Sequence, residues 1–303
     1  MQNEIIAVMG AGAVGCYYGG LLARAGHEVR LIGRARHVEV VVRHGLLMET
    51  NAFSEHIPLQ ARTGAEGVRG ADLVLCCVKS DDTAQAAAAM KAHLAADAIV
   101  VSLQNGVDNP KVLRARLAQE IIPAAVYVAA QMADDGHVRH HGGGKLVLGD
   151  TPRSGRIAAL FADAGIPVEI SGNIEGELWT KLIVNCAYNA LSAITALPYA
   201  KLVQQAGVAQ MLRDVVSECL AVADKAGIVP VGNVWEKVEQ IPHTMPGQMS
   251  STAQDLQRGR PTEINHLNGC IARRGGELGV LTPVNHVLFT LVKILESRCC
   301  PPG

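Results

Sequence analysis

The residues Gly10-Ala11-Gly12-Ala13-Val14-Gly15 constrain this chain more than any other feature, because they follow an apolar run, Ile5–Met9, and open a segment of helical period. In a strand–turn–helix unit the glycines have separate duties. Gly10 permits the tight turn, Gly12 lets the backbone approach a pyrophosphate, and Gly15 lets the helix close on the sheet. The phosphates then lie at a helix N-terminus, where free N–H groups and the helix dipole favour an anion. A glycine-rich turn without a ligand is the alternative, disfavoured by the strand and helix on either side.

The rest of the first half repeats this alternation. Strands are expected at Ile5–Met9, Glu28–Ile32, Leu73–Val78, Ile99–Ser102 and Ile121–Tyr127, with helices near Gly15–Ala25, Asp82–Leu94 and Pro110–Gln119. Residues 137–140 and 145–148 flank Gly142-Gly143-Gly144 as two antiparallel strands flank a turn. Ser154–Ala164 reads as one more helix and Val168–Ile170 as a last strand. From Ile174 onward only helical periods appear, broken at Pro198, Gly227–Pro230, Pro242–Gly247 and Gly259–Pro261. The expected fold class is α/β. A Rossmann-type doubly wound sheet over residues 1–172 is followed by an all-helical domain over 173–303.

Charge narrows the range of partners. The 27 basic and 28 acidic residues nearly cancel, and no run of one sign occurs, so nothing argues for nucleic acid or an anionic membrane. The longest apolar stretch, Leu178 to Leu197, is interrupted by Lys181, Asn185 and Asn189, which suits a buried helix rather than a bilayer span. No basic segment precedes the first strand as a secretory signal requires. The eight cysteines include no C-x-x-C pair and lie mostly in apolar segments, as reduced core residues of a cytoplasmic protein do. The expected partner is a small molecule, and an apolar helical domain is compatible with a homodimer.

The end of the second strand decides which dinucleotide fits. An NAD enzyme places Asp or Glu there to accept from the ribose 2′-hydroxyl, whereas this chain reads Leu31-Ile32-Gly33-Arg34-Ala35-Arg36. An arginine at that tip binds a 2′-phosphate through two hydrogen bonds, so NADP is preferred and NAD stays open. Lys79 and Asn105 follow two further strands, at the carboxyl edge where such sheets collect ligands. Lys79 suits a cofactor phosphate or ribose, and Asn105 suits ribose or substrate.

A second group of polar residues lies on the helix from about Glu175 to Ala196. Lys181, Asn185 and Asn189 stand at i, i+4 and i+8, one face of a helix that is otherwise apolar. Unpaired buried polar groups cost about 1–3 kcal/mol each, so the stripe needs a polar counterpart, and a cleft supplies one. A solvent-facing edge with Glu177 paired to Lys181 gives the same pattern. A desolvated lysine can protonate a forming alkoxide, and asparagines hold a keto acid without adding charge. The span from Ser250 to Asn265 is dense in hydrogen-bonding side chains, as ordinary surface helices also are. His137, His140 and His141 lack a Cys or carboxylate partner set, and neither they nor Cys299-Cys300 are assigned a metal.

Together these motifs resemble the ketopantoate reductase (2-dehydropantoate 2-reductase) family over nearly the whole chain. The resemblance rests on Gly10–Gly15, Val78-Lys79, Gln104-Asn105-Gly106, Lys181 through Asn185-Cys186, and Ser251 through Asn268-Gly269. It implies NADPH-dependent reduction of 2-dehydropantoate to pantoate, in pantothenate and coenzyme A biosynthesis. Lys181 would be the proton donor, with Glu263 contributing to the catalytic site. Asn105, Asn185, Asn189 and Ser251 would contact substrate. Gly10, Ala11, Gly12, Ala13, Val14, Gly15, Arg34, Lys79 and Asn105 would contact cofactor. The chain departs from some relatives at Tyr199, at Gln248 and at Asp81-Asp82, which leaves the keto acid open. Two alternatives stand beside this reading: a related NAD(P)-dependent 2-keto acid or opine-type dehydrogenase, and a non-catalytic NADP-binding regulator.

Overall fold

The computed structural model describes residues 4–299, so Cys300 lies outside the described residues. The chain divides into two compact units, Met1–Ile174 and Glu175–Gly303.

The first unit opens with β1 (Ile5–Met9), α1 (Ala13–Arg24), β2 (Glu28–Ile32), α2 (Ala35–His44), β3 (Leu46–Glu49), β4 (Ser54–Ile57) and β5 (Gln60–Arg62). It continues through β6 (Leu73–Cys76), α3 (Thr83–Lys91), β7 (Ile99–Ser102), α4 (Asn109–Arg114) and β8 (Glu120–Asp134) to β9 (His137–Gly149), α5 (Ser154–Asp163) and β10 (Val168–Ser171). Six strands run parallel in the order β5-β2-β1-β6-β7-β8, the order of a dinucleotide-binding Rossmann sheet. Its central strands are apolar on both faces because both are covered. On β1, Ile6 and Val8 join one core with Tyr18, Leu22 and Phe161, while Ala7 joins the opposite one with Val74, Met90 and Val100. The expected fold class is borne out.

Two expectations need correction. Gly142–Gly144 is not a hairpin turn. β9 runs through it, pairing antiparallel with β8, and the register shifts between Tyr127 and Val128 and between Ala129 and Ala130. All three glycines have positive φ, so they form irregularities that let the strand pass close to Tyr17 and β8. The hairpin turn is Asp135-Gly136, a two-residue connection in which Gly136 takes φ +71°. Secondly, α2 and β3 to β5 occupy a stretch in which the sequence suggested no elements. Consecutive valines in α2 obscure its helical period, and β3 to β5 are each four residues or fewer. Smaller differences are that α4 stops at Arg114 and β6 at Cys76.

The second unit is helical: α6 (Ile174–Thr195), whose first residue belongs to the first unit, then α7 (Tyr199–Leu202), α8 (Val208–Lys225), α9 (Val234–Thr244), α10 (Ser251–Gln257), α11 (Asn268–Leu278) and α12 (Pro283–Cys299). Trp179, Leu182, Ile183, Cys186 and Ala190 bury most of the circumference of α6. A buried polar chain ties four helices together. Asn268 Nδ2 donates to Cys186 O and Asn285 Oδ1, and the Glu218 carboxylate accepts from Asn285 Nδ2 and from the N–H groups of Val284 and Asn285. No helix among the described residues is long and apolar enough to cross a membrane.

Candidate active site

In the first unit the glycine-rich loop lies where the strand order turns back, between β1 and β6. Gly10 has φ +107°, and a Cβ there would lie 2.6 Å from Val78 N. A Cβ on Gly15 would lie 2.3 Å from Gly10 O and 2.8 Å from Val8 Cγ1. Both positions therefore exclude any side chain, for the reasons the sequence suggested. Gly12 differs: it is exposed, and a Cβ there would meet nothing within 4 Å. Its surface is open toward α1's first turn, as backbone approach by a pyrophosphate requires. The loop is anchored by Gly10 N and Ala11 N, which both donate to Ile32 O at the end of β2.

Arg34 follows that strand end as the exposed N-cap of α2. Arg62 is a residue the sequence reading missed. It pairs in register with Ile32 and brings a second exposed arginine to the same edge, but β5 is too short to be read from periodicity. Arg36 is held by Asp135 at 3.5 Å.

Lys79 and Asn105 stand on adjacent strand ends, fixed by a network that the sequence did not reveal. Ser80 Oγ donates to Asn105 O at 2.8 Å, and Asn109 Nδ2 donates to the same oxygen and to Ser80 Oγ. Thr83 Oγ1 donates to Asn109 Oδ1, while Gln104 Nε2 donates to Val78 O and Thr83 Oγ1. Ser80, Thr83, Gln104 and Asn109 are buried, so each relies on the others for its hydrogen bonds. The result is a rigid carboxyl edge carrying Lys79 and Asn105.

In the second unit Lys181, Asn185 and Asn189 share one face of α6. The first two are half-buried, and Asn189 is buried. Desolvation pulls the Lys181 ammonium down from 10.5 to about 8, against the opposing pull of the Glu263 carboxylate. α10 is fastened to the same helix: Ser250 Oγ donates to Asn189 O and caps Ala253 N, and Ser250 N donates to Ser192 Oγ. This brings Ser251 Oγ to 3.5 Å from Asn189 Nδ2. Glu263 is positioned from behind, since buried Glu296 accepts from Thr262 N at 2.5 Å and from Thr262 Oγ1 at 2.6 Å. Tyr199, one of the departures, is buried with its ring edge-on to Tyr188 at 5.3 Å, and its N–H donates to Gln248 O. A hollow of about 450 Å³ lined by Leu212, Trp235, Val238 and His243 includes none of the predicted site residues. His137 is bonded to Glu49, and His140 stacks on Tyr17.

A Rossmann-type unit with an open glycine-rich loop, followed by a helical unit holding a lysine lowered to about 8, marks an oxidoreductase that uses a dinucleotide. The chain belongs to the ketopantoate reductase PanE/ApbA family, whose N-terminal model matches residues 6–153 and whose C-terminal model matches residues 173–296. It is 32% identical to the 2-dehydropantoate 2-reductase of Pyrococcus horikoshii, covering 96% of this chain and 97% of the relative. The match to the Archaeoglobus fulgidus enzyme of the same name is 30%, over 98% and 99%. Among solved structures, a PanE/ApbA family ketopantoate reductase from Ralstonia eutropha JMP134 superposes with TM-score 0.94 at 55% identity, over 97% of this chain and 99% of that one. A D-mandelate dehydrogenase, solved with NADH and anilino(oxo)acetate, superposes with TM-score 0.91 at 27% identity, over the same shares.

Proposed function

We propose that this chain reduces 2-dehydropantoate to pantoate at the expense of NADPH, with Lys181 as proton donor, and so serves pantothenate synthesis. Bound NADPH supplies a hydride to the keto carbon. The rest is the work of the chain's own residues. The Gly10–Gly15 backbone and α1's N-terminus receive the pyrophosphate, and Arg34 receives the 2′-phosphate. Lys79 and Asn105 complete the cofactor side, and Asn105 also contacts substrate. Lys181 Nζ gives a proton to the substrate oxygen as the carbonyl π bond is lost, leaving a neutral amine and a hydroxyl. Glu263 keeps a useful fraction of that lysine charged. Asn185, Asn189 and Ser251 hold the keto acid.

The observation that carries this reading is Lys181, a lysine tuned to about 8 on a polar stripe of an otherwise apolar helix. A general acid works best with a pKa near the working pH, and few structural roles call for a desolvated ammonium. The likeness to D-mandelate dehydrogenase supports a second reading, in which a bulkier 2-keto acid takes the place of 2-dehydropantoate and NADH that of NADPH.

The test is the initial rate of reduced-cofactor oxidation with 2-dehydropantoate and with aryl 2-keto acids, using NADPH and NADH, for the native protein and Lys181→Ala. The proposal expects 2-dehydropantoate with NADPH to be preferred, and Lys181→Ala to lose on the order of 10²–10⁴-fold in rate with cofactor affinity retained. Preference for an aryl 2-keto acid selects the second reading. Full activity in Lys181→Ala removes the proton-donor assignment.

A further inference from the structure

His37 takes no part in the scheme above, yet it is the buried hub of the segment that carries Arg34. It is 5% exposed and lies on the first turn of α2, three residues after Arg34. Its Nδ1 accepts from Gly136 N at 3.0 Å. An Nδ1 that accepts leaves the ring proton on Nε2, which faces Cys16 Sγ at 3.5 Å. Burial lowers the histidine's pKa, against the nearby Asp135 carboxylate, in keeping with this neutral form.

Each partner belongs to a part of the cofactor site or its support. Cys16 immediately follows Gly15, the last glycine of the phosphate loop. Gly136 is the turn between β8 and β9, and a Cβ there would lie 2.5 Å from Val40 Cγ1, so the turn presses directly on α2. Asp135, in the same turn, holds Arg36. At the other end of the Arg34 turn, a Cβ on Gly33 would lie 2.8 Å from Ala11 Cβ and 3.6 Å from His37 Cδ2. The backbone just before Arg34 thus packs closely on the phosphate loop and lies near the His37 ring. His37 bonds to both α1 and the β8–β9 turn.

We infer that His37 is a positioning residue for cofactor selection, fixing the distance between the phosphate loop, which takes the pyrophosphate, and Arg34, which takes the 2′-phosphate. The inference rests on the reading of Arg34 as the 2′-phosphate ligand. NADPH must satisfy both points at once, whereas NADH has no 2′-phosphate for Arg34 to receive. Loss of the His37 bridge therefore weakens NADPH and spares NADH, a split that general loss of stability does not produce.

The experiment measures Kd for NADPH and for NADH by quenching of reduced-nicotinamide fluorescence, without any keto acid, so that it stands apart from the identity of the substrate. The chain variants are His37→Leu, His37→Asn and Arg34→Ala, each checked by thermal melting. His37→Leu is expected to lower the preference for NADPH about tenfold, with Kd for NADH within about twofold of native. His37→Asn, whose Oδ1 can accept from Gly136 N, is expected to recover most of that loss. Equal weakening of both cofactors, or an unchanged preference in folded His37→Leu, overturns the inference. Should His37→Leu not fold, Cys16→Ala removes only the Nε2 partner: a fall in preference of about two- to threefold supports the inference and an unchanged preference overturns it. An Arg34→Ala protein with native preference instead removes the underlying reading of Arg34.

Discussion

Replacing Glu263 by Gln tests the proton-donor assignment through a change in pH dependence. Lys181 is held at about 8 by desolvation, which lowers it, and by Glu263, which raises it. Reduction needs the charged lysine, so its rate is highest below that value and falls as pH rises through it. At about pH 7 roughly 90% of the lysine carries its proton, and at about pH 9 roughly 10% does, so kcat/KM for the keto acid falls close to tenfold per pH unit beyond. An ordinary lysine at 10.5 would leave the same profile flat across that range. Glu263→Gln keeps the shape and removes the charge that favours the ammonium. Its descending limb therefore moves to lower pH, and the rate ratio of variant to native is close to one well below the variant's limb, falls as pH rises, and levels off at its lowest above about pH 8. Oxidation of the hydroxy acid uses the neutral amine as base, so it rises with pH through the same value and gains in the variant at that pH. Initial rates in both directions at saturating cofactor measure this. A reductive limb near 10.5, or a limb that Glu263→Gln leaves in place, refutes the reasoning.

Three further outcomes follow from the geometry around the sites. Gly15→Ala forces a Cβ to within 2.3 Å of Gly10 O and should cost about 1–3 kcal/mol in urea unfolding. Gly12→Ala points its Cβ into open space, so it should melt near the native temperature while binding the dinucleotide at least about tenfold more weakly; native cofactor affinity would remove the pyrophosphate from Gly12. Glu296→Ala removes the carboxylate that anchors Thr262 beside Glu263 and should cost on the order of 3 kcal/mol. Burial pushes the Glu296 carboxyl up, but hydrogen bonds from Lys293 and Thr262 hold it below 4.5. Its contribution is thus complete above 4.5 and is lost as pH falls through the folded value, so the gap between native and variant in unfolding experiments should close on the acid side.

Much of the first unit was legible because its elements are written in short-range pattern. β1, β2 and β7 begin and end where apolar runs meet glycine or polar residues, and the glycine spacing specifies a strand–turn–helix. The polar stripe on α6 was equally legible, since i, i+4 and i+8 share a helix face whatever packs against it. The Asp135-Gly136 turn was legible in principle, but three consecutive glycines nearby drew the hairpin to the wrong place. Those glycines answer to Tyr17 and β8, neighbours that local pattern does not record.

What the sequence by itself determined is therefore the class of each unit and the chemical types held at its edges: a glycine-rich turn, arginine after β2, lysine and asparagines on one helix. The tertiary structure alone decided which of these are tuned and how they are held. Lys181 has an ordinary side chain until packing strips it of water and brings the Glu263 charge near. Lys79 and Asn105 are loop residues until Ser80, Thr83, Gln104 and Asn109 close a network around them. His37 is one more histidine until Gly136, far along the chain, donates a hydrogen bond to its ring. The physical reason is common to all three: a periodicity depends on neighbours a few residues apart, whereas desolvation, charge coupling and buried hydrogen bonds depend on groups that meet only after the chain has folded.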